Sequence, residues 1–257
     1  MKKKIMVHAL TSCYGCQLRL AALEEIEEIA ENFEIVYFPM ISSKELEGDA
    51  DIAFVEGSVS TEKDLVELKK IRKKTKILVA MGTCAAFGGV QSWDERDYEK
   101  LYRDVYGEEK IKFAGRKAEP LSKHVKVDYI LPGCPPEEWE IKYFLACFLI
   151  GSWPEVIDYP VCQECRSKGN PCLLLEKGEM CLGPVTRGGC SARCPSYGIP
   201  CSGCRGSLPF GVACFDSLAR IFLEKGYSRE AIRKKMRIFF SGDPELEEKL
   251  EKVLSKR

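Results

Sequence analysis

Cysteine is the residue type whose number and spacing in this sequence point most directly to chemistry. Eight of the chain's 14 cysteines fall between positions 162 and 204, spaced C-x2-C-x6-C-x8-C and then, after eight residues, C-x3-C-x6-C-x2-C. They divide into two groups of four: Cys162, Cys165, Cys172 and Cys181, followed by Cys190, Cys194, Cys201 and Cys204. Four thiolates suit either a tetrahedral zinc ion or a cluster of four irons and four sulfides.

The spacing inside each group favours iron–sulfur clusters over zinc. Structural zinc sites commonly combine two close cysteine pairs around one ion. Each group here has only one close pair, and its other two cysteines are scattered. Such an arrangement suits a cube whose irons each take one thiolate from a different direction. Zinc stays open as the alternative.

Four further cysteines follow apolar runs in the first half of the chain. They are Cys13 and Cys16 in "TSCYGC", Cys84 in "MGTCAAFGG" and Cys134 in "LPGCPP". Because the carboxyl ends of parallel strands share one edge of a sheet, loops that follow these strands can bring all four thiols together. "CYGC" alone also resembles a thioredoxin-type redox pair. The positions of Cys84 and Cys134 favour the four-ligand site.

Other residues with chemical potential have weaker sequence signals. Cys147 and Cys214 lie in apolar segments, where we expect buried, inert thiols. Glu56 ends the third predicted strand on the same edge as the cysteines; it either hydrogen-bonds a loop or assists the site, and it is not counted as a ligand. Screening of thiolate charge and a solvated surface are both open for three arginines: Arg187, Arg193 and Arg205.

The first 150 residues alternate patterns typical of strands and helices. "KIMVHAL", "EIVYFPM", "DIAFVEG", "KILVAMG" and "VDYILPG" are nearly continuous apolar runs, as in parallel strands covered on both faces. "QLRLAALEEIEEIAEN" and "STEKDLVELKKIRKK" have helical periodicity. This alternation predicts an α/β domain with a doubly wound parallel sheet. No G-x-G-x-x-G follows a strand, so a dinucleotide site is not indicated.

The pattern changes after "GSWPEVIDYP". From position 162 to about 211 there is no sustained periodicity, and glycine and proline are frequent. Apolar burial alone cannot hold such a stretch, so we expect bound metal to cross-link it. Three amphipathic helices follow, in "FDSLARIFLEKG", "SREAIRKKMRIFF" and "DPELEEKLEKVLSK". We predict two domains, residues 1–158 and residues 159–257.

Composition narrows the possible environment and partners. The 39 basic and 39 acidic residues cancel, which argues against a nucleic-acid binder. No apolar run approaches the length of a membrane span, and the N-terminus does not read as a signal peptide. We therefore expect a cytoplasmic protein, where disulfides are rare except in hyperthermophiles. The scarcity of Asn and Gln beside abundant Lys and Glu is a bias of hyperthermophiles.

Longer motifs carry a resemblance across nearly the whole chain. In order they are "ALTSCYGCQL", "FVEGSVSTE", "GGVQSW", "FLIGSWPE", "DYPVC", "LLEKGE", "CLGPVTR" and "CPSYG". With these motifs the sequence resembles the small (delta) subunit of soluble NiFe hydrogenases of the sulfhydrogenase type. The resemblance implies a flavodoxin-like N-terminal domain and a loop-rich, cysteine-rich C-terminal iron–sulfur domain with terminal helices.

The resemblance also implies three 4Fe-4S clusters. It assigns the proximal cluster to Cys13, Cys16, Cys84 and Cys134, the medial cluster to Cys190, Cys194, Cys201 and Cys204, and the distal cluster to Cys162, Cys165, Cys172 and Cys181. The proximal cluster would lie in the first domain and the other two in the second.

The implied role is electron transfer within a heterotetramer, with no catalytic residue in this chain. Dihydrogen would be split at the NiFe site of a large (alpha) subunit. Electrons would pass through the three clusters to a flavin- and NADP-binding (gamma) subunit, with sulfur or polysulfide as a further acceptor, and a further iron–sulfur (beta) subunit would complete the assembly. The alternative from the residues alone is a zinc-binding interaction module with a thiol redox pair.

Overall fold

Five parallel strands form the main sheet of the protein. The computed structural model describes residues 2–43, 48–92, 98–107, 115–209 and 213–255. The sheet contains β1 (Lys3–Ala9), β2 (Phe33–Tyr37), β3 (Ala50–Glu56), β5 (Thr75–Met81) and β7 (Tyr129–Leu131), and a separate antiparallel pair contains β4 (Val59–Thr61) and β6 (Gly115–Glu119). The order β2-β1-β3-β5-β7 is the flavodoxin-like order 2-1-3-4-5 when the strands of this sheet are counted alone. The predicted fold class is confirmed.

Helices cover both faces of the sheet and end the chain. Over the described residues they are α1 (Gly15–Ala21), α2 (Ile26–Asn32), α3 (Glu62–Lys73), α4 (Gly82–Phe87), α5 (Tyr98–Tyr106), α6 (Glu138–Leu149), α7 (Val161–Ser167), α8 (Arg193–Ser196), α9 (Phe215–Glu224), α10 (Arg229–Phe240) and α11 (Pro244–Leu254). The three predicted C-terminal helices are α9, α10 and α11. Within the described residues no helix combines the length and the apolar character needed to cross a membrane.

One predicted helix is wrong in its extent. The run "QLRLAALEEIEEIAEN" forms two short helices, α1 and α2, separated by residues 22–25. The first-turn amides of α1 donate to the Glu56 side chain at the end of β3, so α1 is fixed to the sheet edge. No residue of α2 is fully buried, although Ile29 packs against the core that includes α1 and α6.

Alternation along the strands builds a separate apolar core on each face of the sheet. Ile5 and Val7 of β1 point to one face, where they join a core with α1 and α6, whereas Met6 points to the opposite core with α3. The central strand β3 is almost completely buried, as expected for a strand covered on both faces. Both cores support the carboxyl edge of the sheet, where the N-terminal cysteines lie.

A third core lies in the last hundred residues. Phe215 and Phe222 of α9 pack there with Phe240 of α10 and Leu250 of α11. Cysteines of the 162–204 stretch also border this core. Packing against α9, α10 and α11 therefore stabilises the 162–204 stretch, which has little regular structure. The predicted division between residues 158 and 159 stays a prediction.

Candidate metal centres

The four N-terminal cysteines lie together at the carboxyl edge of the sheet. Cys13 and Cys16 follow β1, and Cys84 lies in α4 after β5. Cys134 lies in the loop that joins β7 to α6. Burial raises the pKa of Cys84 to about 11, opposed by a hydrogen bond to Gln91 and reinforced by the charges of Cys134 and Cys13. Burial also raises the pKa of Cys16, with further increases from Glu56, Cys84 and Cys134. The structure thus brings these thiols close enough to influence one another.

Two glycines, Gly82 and Gly89, leave room for the sulfur atoms of Cys16 and Cys84. A Cβ at Gly82 (φ +87°) would overlap the Cys16 sulfur, and one at Gly89 (φ +73°) would lie 2.5 Å from the Cys84 sulfur. Both glycines also have a left-handed backbone that other residues rarely adopt. The Gly133 carbonyl accepts a hydrogen bond of 2.9 Å from the Thr83 amide, which ties the Cys84 helix to the Cys134 loop. Only glycine fits at 82 and 89 without displacing a thiol.

Glu56 organises the loop that carries the first two thiols. Its carboxylate accepts hydrogen bonds from the backbone amides of Cys16 (2.9 Å) and Gln17 (3.2 Å) and from the Ser12 hydroxyl (3.3 Å). The side chain is buried, and burial raises its pKa while these hydrogen bonds oppose the increase. Of the two roles left open by the sequence, the structure shows the hydrogen-bonding one.

The group from position 162 to 181 surrounds a cavity of about 530 Å³. All four thiols line it, together with the apolar residues Leu173 to Leu175. Cys162 and Cys165 lie on α7, and Cys172 and Cys181 lie in the loop after it. Burial raises the pKa of Cys162 to about 12, with added increases from Cys181, Cys165 and Cys172. The structure therefore gathers this predicted group around one space.

In the group from position 190 to 204, Cys201 is buried and Cys204 is partly buried. Burial raises the pKa of Cys201 to about 12 and that of Cys204 to about 11. The charges of Cys190 and Cys194 also raise the pKa of Cys204, so the four predicted members are neighbours. Cys194 is exposed on the short helix α8.

Direct contacts join the three groups in one series. The charge of Cys134 raises the pKa of Cys204. The Cys201 amide donates a hydrogen bond of 3.3 Å to the Cys181 sulfur, which joins the 190–204 group to the 162–181 group. The Thr83 hydroxyl also donates to the Cys204 carbonyl. The 190–204 group thus contacts both of the others.

A glutamate that the sequence did not single out fixes two groups to each other. Glu164 on α7 accepts hydrogen bonds from the amides of Gly189 (2.6 Å) and Ala192 (3.0 Å). α7 carries two thiols of the 162–181 group, and the two amides flank Cys190. The only signal for Glu164 in the sequence was its position between Cys162 and Cys165.

Three arginines whose environment the sequence left open differ in burial. Arg205 is buried and contacts Glu140 of α6 through two nitrogens at 2.8 and 2.6 Å. Arg187 is also buried, whereas Arg193 is exposed and pairs with Glu137 at 2.7 Å. A solvated surface is therefore wrong for Arg205 and Arg187.

The two remaining cysteines have different environments. Cys147 is buried in α6, as predicted. Cys214 is exposed, contrary to the prediction, because it lies at the start of α9, where Ala213 and Phe215 take the buried positions. Neither belongs to a group of four.

The residues of each group fit an iron–sulfur cluster by their chemistry, and the thiols of the 162–181 group also surround a cavity. Each group offers thiols alone, the donors that such clusters use. Burial favours the neutral thiol, so a positively charged centre is needed to keep several neighbouring thiolates. Among the described residues, no three Cys, His, Asp or Glu side chains are grouped as a single metal ion would require.

Comparison with known proteins identifies the class to which this fold and these thiols belong. Residues 13–148 match the family described as NADH ubiquinone oxidoreductase, 20 Kd subunit, and the chain belongs to this family. It is 41% identical to Sulfhydrogenase 2 subunit delta of Pyrococcus furiosus over 239 residues, which cover 92% of this chain and 98% of the relative. It is 36% identical to a vhu subunit of the F420-non-reducing hydrogenase of Methanocaldococcus jannaschii, covering 84% and 87% of the two chains. The resemblance to hydrogenase small subunits is therefore confirmed.

Solved structures support the same fold. A chain of an NAD+-reducing [NiFe]-hydrogenase in the H2-reduced state aligns with a TM-score of 0.54 at 29% identity, covering 61% of this chain and 96% of that one. A chain of the Ni-Fe-Se hydrogenase from Desulfomicrobium baculatum aligns with a TM-score of 0.56, covering 86% and 99%. At 18% identity the second likeness concerns the fold alone.

Proposed function

We propose that this chain is the electron-transferring small subunit of a multi-subunit NiFe hydrogenase of the sulfhydrogenase type. The observation that carries the proposal is the series of three four-thiol groups, in which the 190–204 group contacts both others through the Thr83–Cys204 and Cys201–Cys181 hydrogen bonds. Each group would hold one 4Fe-4S cluster: proximal at the N-terminal group, medial at 190–204 and distal at 162–181. When bound, such clusters accept and release single electrons.

The protein's own part is to bind, space and shield these groups. Glu56 orients the first-turn amides of α1 beside Cys16, and the Cys201 amide donates a hydrogen bond of 3.3 Å to the Cys181 sulfur. Glu164 keeps the two C-terminal groups at a fixed separation. Hydrogen bonds to sulfur, burial and local charge are the features by which a protein sets the potential of a bound cluster.

Exposed apolar side chains beside the outer groups support docking of partner subunits. Tyr14 and Leu18, which flank the N-terminal thiols, are 53% and 60% exposed. Leu175, which lines the cavity of the 162–181 group, is 69% exposed. Apolar surface of this kind commonly marks a protein interface. We place the NiFe large (alpha) subunit at the first surface and the flavin- and NADP-binding (gamma) subunit at the second, with a further iron–sulfur (beta) subunit in the assembly.

Metal analysis of protein prepared without oxygen tests the clusters. We expect about twelve irons and an equal amount of acid-labile sulfide per chain, with a brown colour that dithionite bleaches. Cys16→Ser, Cys162→Ser and Cys204→Ser should each reduce the iron content by about a third, whereas the exposed Cys214→Ser should not change it. A colourless protein with about two zinc ions would contradict the proposal and favour the zinc-binding module.

Purification of the native assembly tests the division of labour. A nickel-bearing subunit and a flavoprotein should co-purify with this chain, and hydrogen-dependent NADP+ reduction should require all of them. If the isolated chain oxidised dihydrogen at the rate of the assembly, the electron-transfer role would be wrong. A test of sulfur and polysulfide as acceptors would decide whether sulfur reduction accompanies NADP+ reduction.

A further inference from the structure

A cavity outside the three thiol groups contains a buried arginine whose Nε has no hydrogen-bond partner among the residues that the structure describes. The cavity measures about 430 Å³ and is bordered by α6 and by the segment that connects α6 to α7. Arg187 lines it and is 8% exposed. Its Nε is completely buried, and no described residue accepts a hydrogen bond from its side chain. This volume lies within the usual range of small-molecule sites.

The nearby carboxylate does not neutralise Arg187. Glu140 also lines the cavity, but both of its oxygens are taken by Arg205 at 2.8 and 2.6 Å. Burial lowers the pKa of Arg187, and the charge of Arg205 lowers it further. The charges of Glu140 and of the buried Asp243 oppose this decrease, but among the described residues neither carboxylate accepts a hydrogen bond from Arg187. An unpaired buried charge is costly, and an anion in the cavity would remove that cost.

The walls and the rim define which anion fits. Tyr129, Trp139, Tyr143 and Tyr159 supply aromatic walls, and the Trp139 indole is held by a hydrogen bond of 3.0 Å to the Gly189 carbonyl. Two exposed carboxylates, Glu155 and Asp158, lie among the residues that border the cavity. They would repel a ligand with several negative charges, such as a nucleotide or a polyphosphate. A ligand with a single negative charge on a flat, apolar body matches the buried arginine, the aromatic walls and the acidic rim of the cavity.

We propose that this cavity binds a small aromatic or otherwise planar monocarboxylate, whose carboxylate pairs with Arg187 and whose body packs between the aromatic side chains. The ligand is a free small molecule, because the cavity offers one cation beside aromatic walls that are partly open to solvent at Trp139 and Tyr143. No covalent or redox step is involved. The site is separate from the twelve thiols.

Calorimetric titration of the full chain with benzoate, benzamide and inorganic phosphate tests the proposal. We expect saturable binding of one benzoate per chain, at least tenfold weaker binding of benzamide, which has the same shape without the charge, and no binding of phosphate. Arg187→Met should weaken benzoate binding at least tenfold. Arg220→Met, which removes an exposed arginine of α9, should leave binding unchanged.

Thermal melting separates a binding role of Arg187 from a structural one. Because Arg187→Met removes a buried, unpaired charge, its melting temperature should equal or exceed that of the parent protein. A clear decrease would show a structural guanidinium and overturn the proposal, as would equal affinities for benzoate and benzamide or the absence of saturable benzoate binding. Loss of benzoate binding when partner subunits are attached would also overturn it, since a partner would then fill the cavity. Iron content is measured separately, so failure here leaves the electron-transfer proposal unaffected.

Discussion

The buried pair of Arg205 and Glu140 provides the sharpest test of how the two halves of the chain are held together. Arg205 follows Cys204 directly, and its guanidinium also donates to the carbonyls of Gly188 (2.6 Å) and Pro132 (3.2 Å). These carbonyls lie two residues before Cys190 and Cys134. One side chain therefore contacts the loops of two thiol groups.

Glu140→Gln should strongly destabilise the protein. Arg205 is 1% exposed, so the variant leaves a buried guanidinium without its counter-charge, next to the second buried cation at Arg187. Breaking one side of a buried pair costs about 3–5 kcal/mol, which for a chain of this size corresponds to a decrease in melting temperature of about 6–20 °C. Anaerobic melting of the iron-loaded protein, followed by circular dichroism, measures the decrease.

A double variant separates the pair itself from the cost of an orphaned charge. Glu140→Met together with Arg205→Met should be less destabilising than either single change, because both charges are removed. Glu248→Gln, which breaks the exposed pair of Glu248 and Lys252 on α11, should leave the melting temperature unchanged. If Glu140→Gln had as little effect as this surface control, the buried pair would not connect the loops as the structure indicates.

Three further changes test other parts of the site and fold. Gly82→Ala should reduce the iron content by about a third, because its Cβ would overlap the Cys16 sulfur. Gly107→Ala, also at positive φ but with open space around it, should retain full iron. Equal iron contents in the two variants would show that the Cys16 sulfur does not need the space that Gly82 leaves. Burial lowers the pKa of His8 to about 4, so the folded state resists the proton that the unfolded chain takes up near pH 6.5. Stability should therefore be complete above about pH 6.5 and decrease by up to about 3 kcal/mol as the pH falls to about 4, and His8→Phe should remove this part of the decrease in denaturant midpoints measured against pH. Glu164→Gln should accelerate iron release to a chelator, since an amide can accept only one of the two hydrogen bonds from the loop around Cys190; an unchanged release rate would show that this link is not needed.

The sequence predicts best the strands and helices in which buried apolar residues recur at regular spacing. The apolar runs of β1, β3 and β5 and the amphipathic helices α9 to α11 were predicted close to their observed bounds. The start of α3 is also set locally, since Thr61 and Asp64 form reciprocal hydrogen bonds there. The break between α1 and α2 was not, because the apolar spacing runs through residues 22–25 without interruption.

The thiol groups show the same contrast. Their cysteines could be predicted from local sequence pattern, whereas the residues that hold the loops through tertiary contacts could not. Placing Cys13, Cys84 and Cys134 on one edge required only that the strands be parallel. Glu140 and Glu164 could not be found this way, because their partners lie 65 and about 25 residues away in the chain and neither belongs to a recognisable motif. Burial of Arg205 was equally hidden, since an arginine beside glycine and cysteine in a polar loop has the composition of a solvated surface.

The order of the thiol groups in space is the feature that neither spacing nor periodicity could supply. Along the chain the 162–181 group comes before the 190–204 group, yet it is Cys204 of the later group whose carbonyl accepts a hydrogen bond from Thr83, beside Cys84 of the N-terminal group. The chain achieves this order because α7 is anchored by Glu164 to the following loop, while Arg205 attaches the end of that loop to α6 and to the Pro132 carbonyl. The buried Glu140 and the partly buried Glu164 are therefore the residues whose loss should change the spacing of the thiol groups, even though neither carries a sulfur.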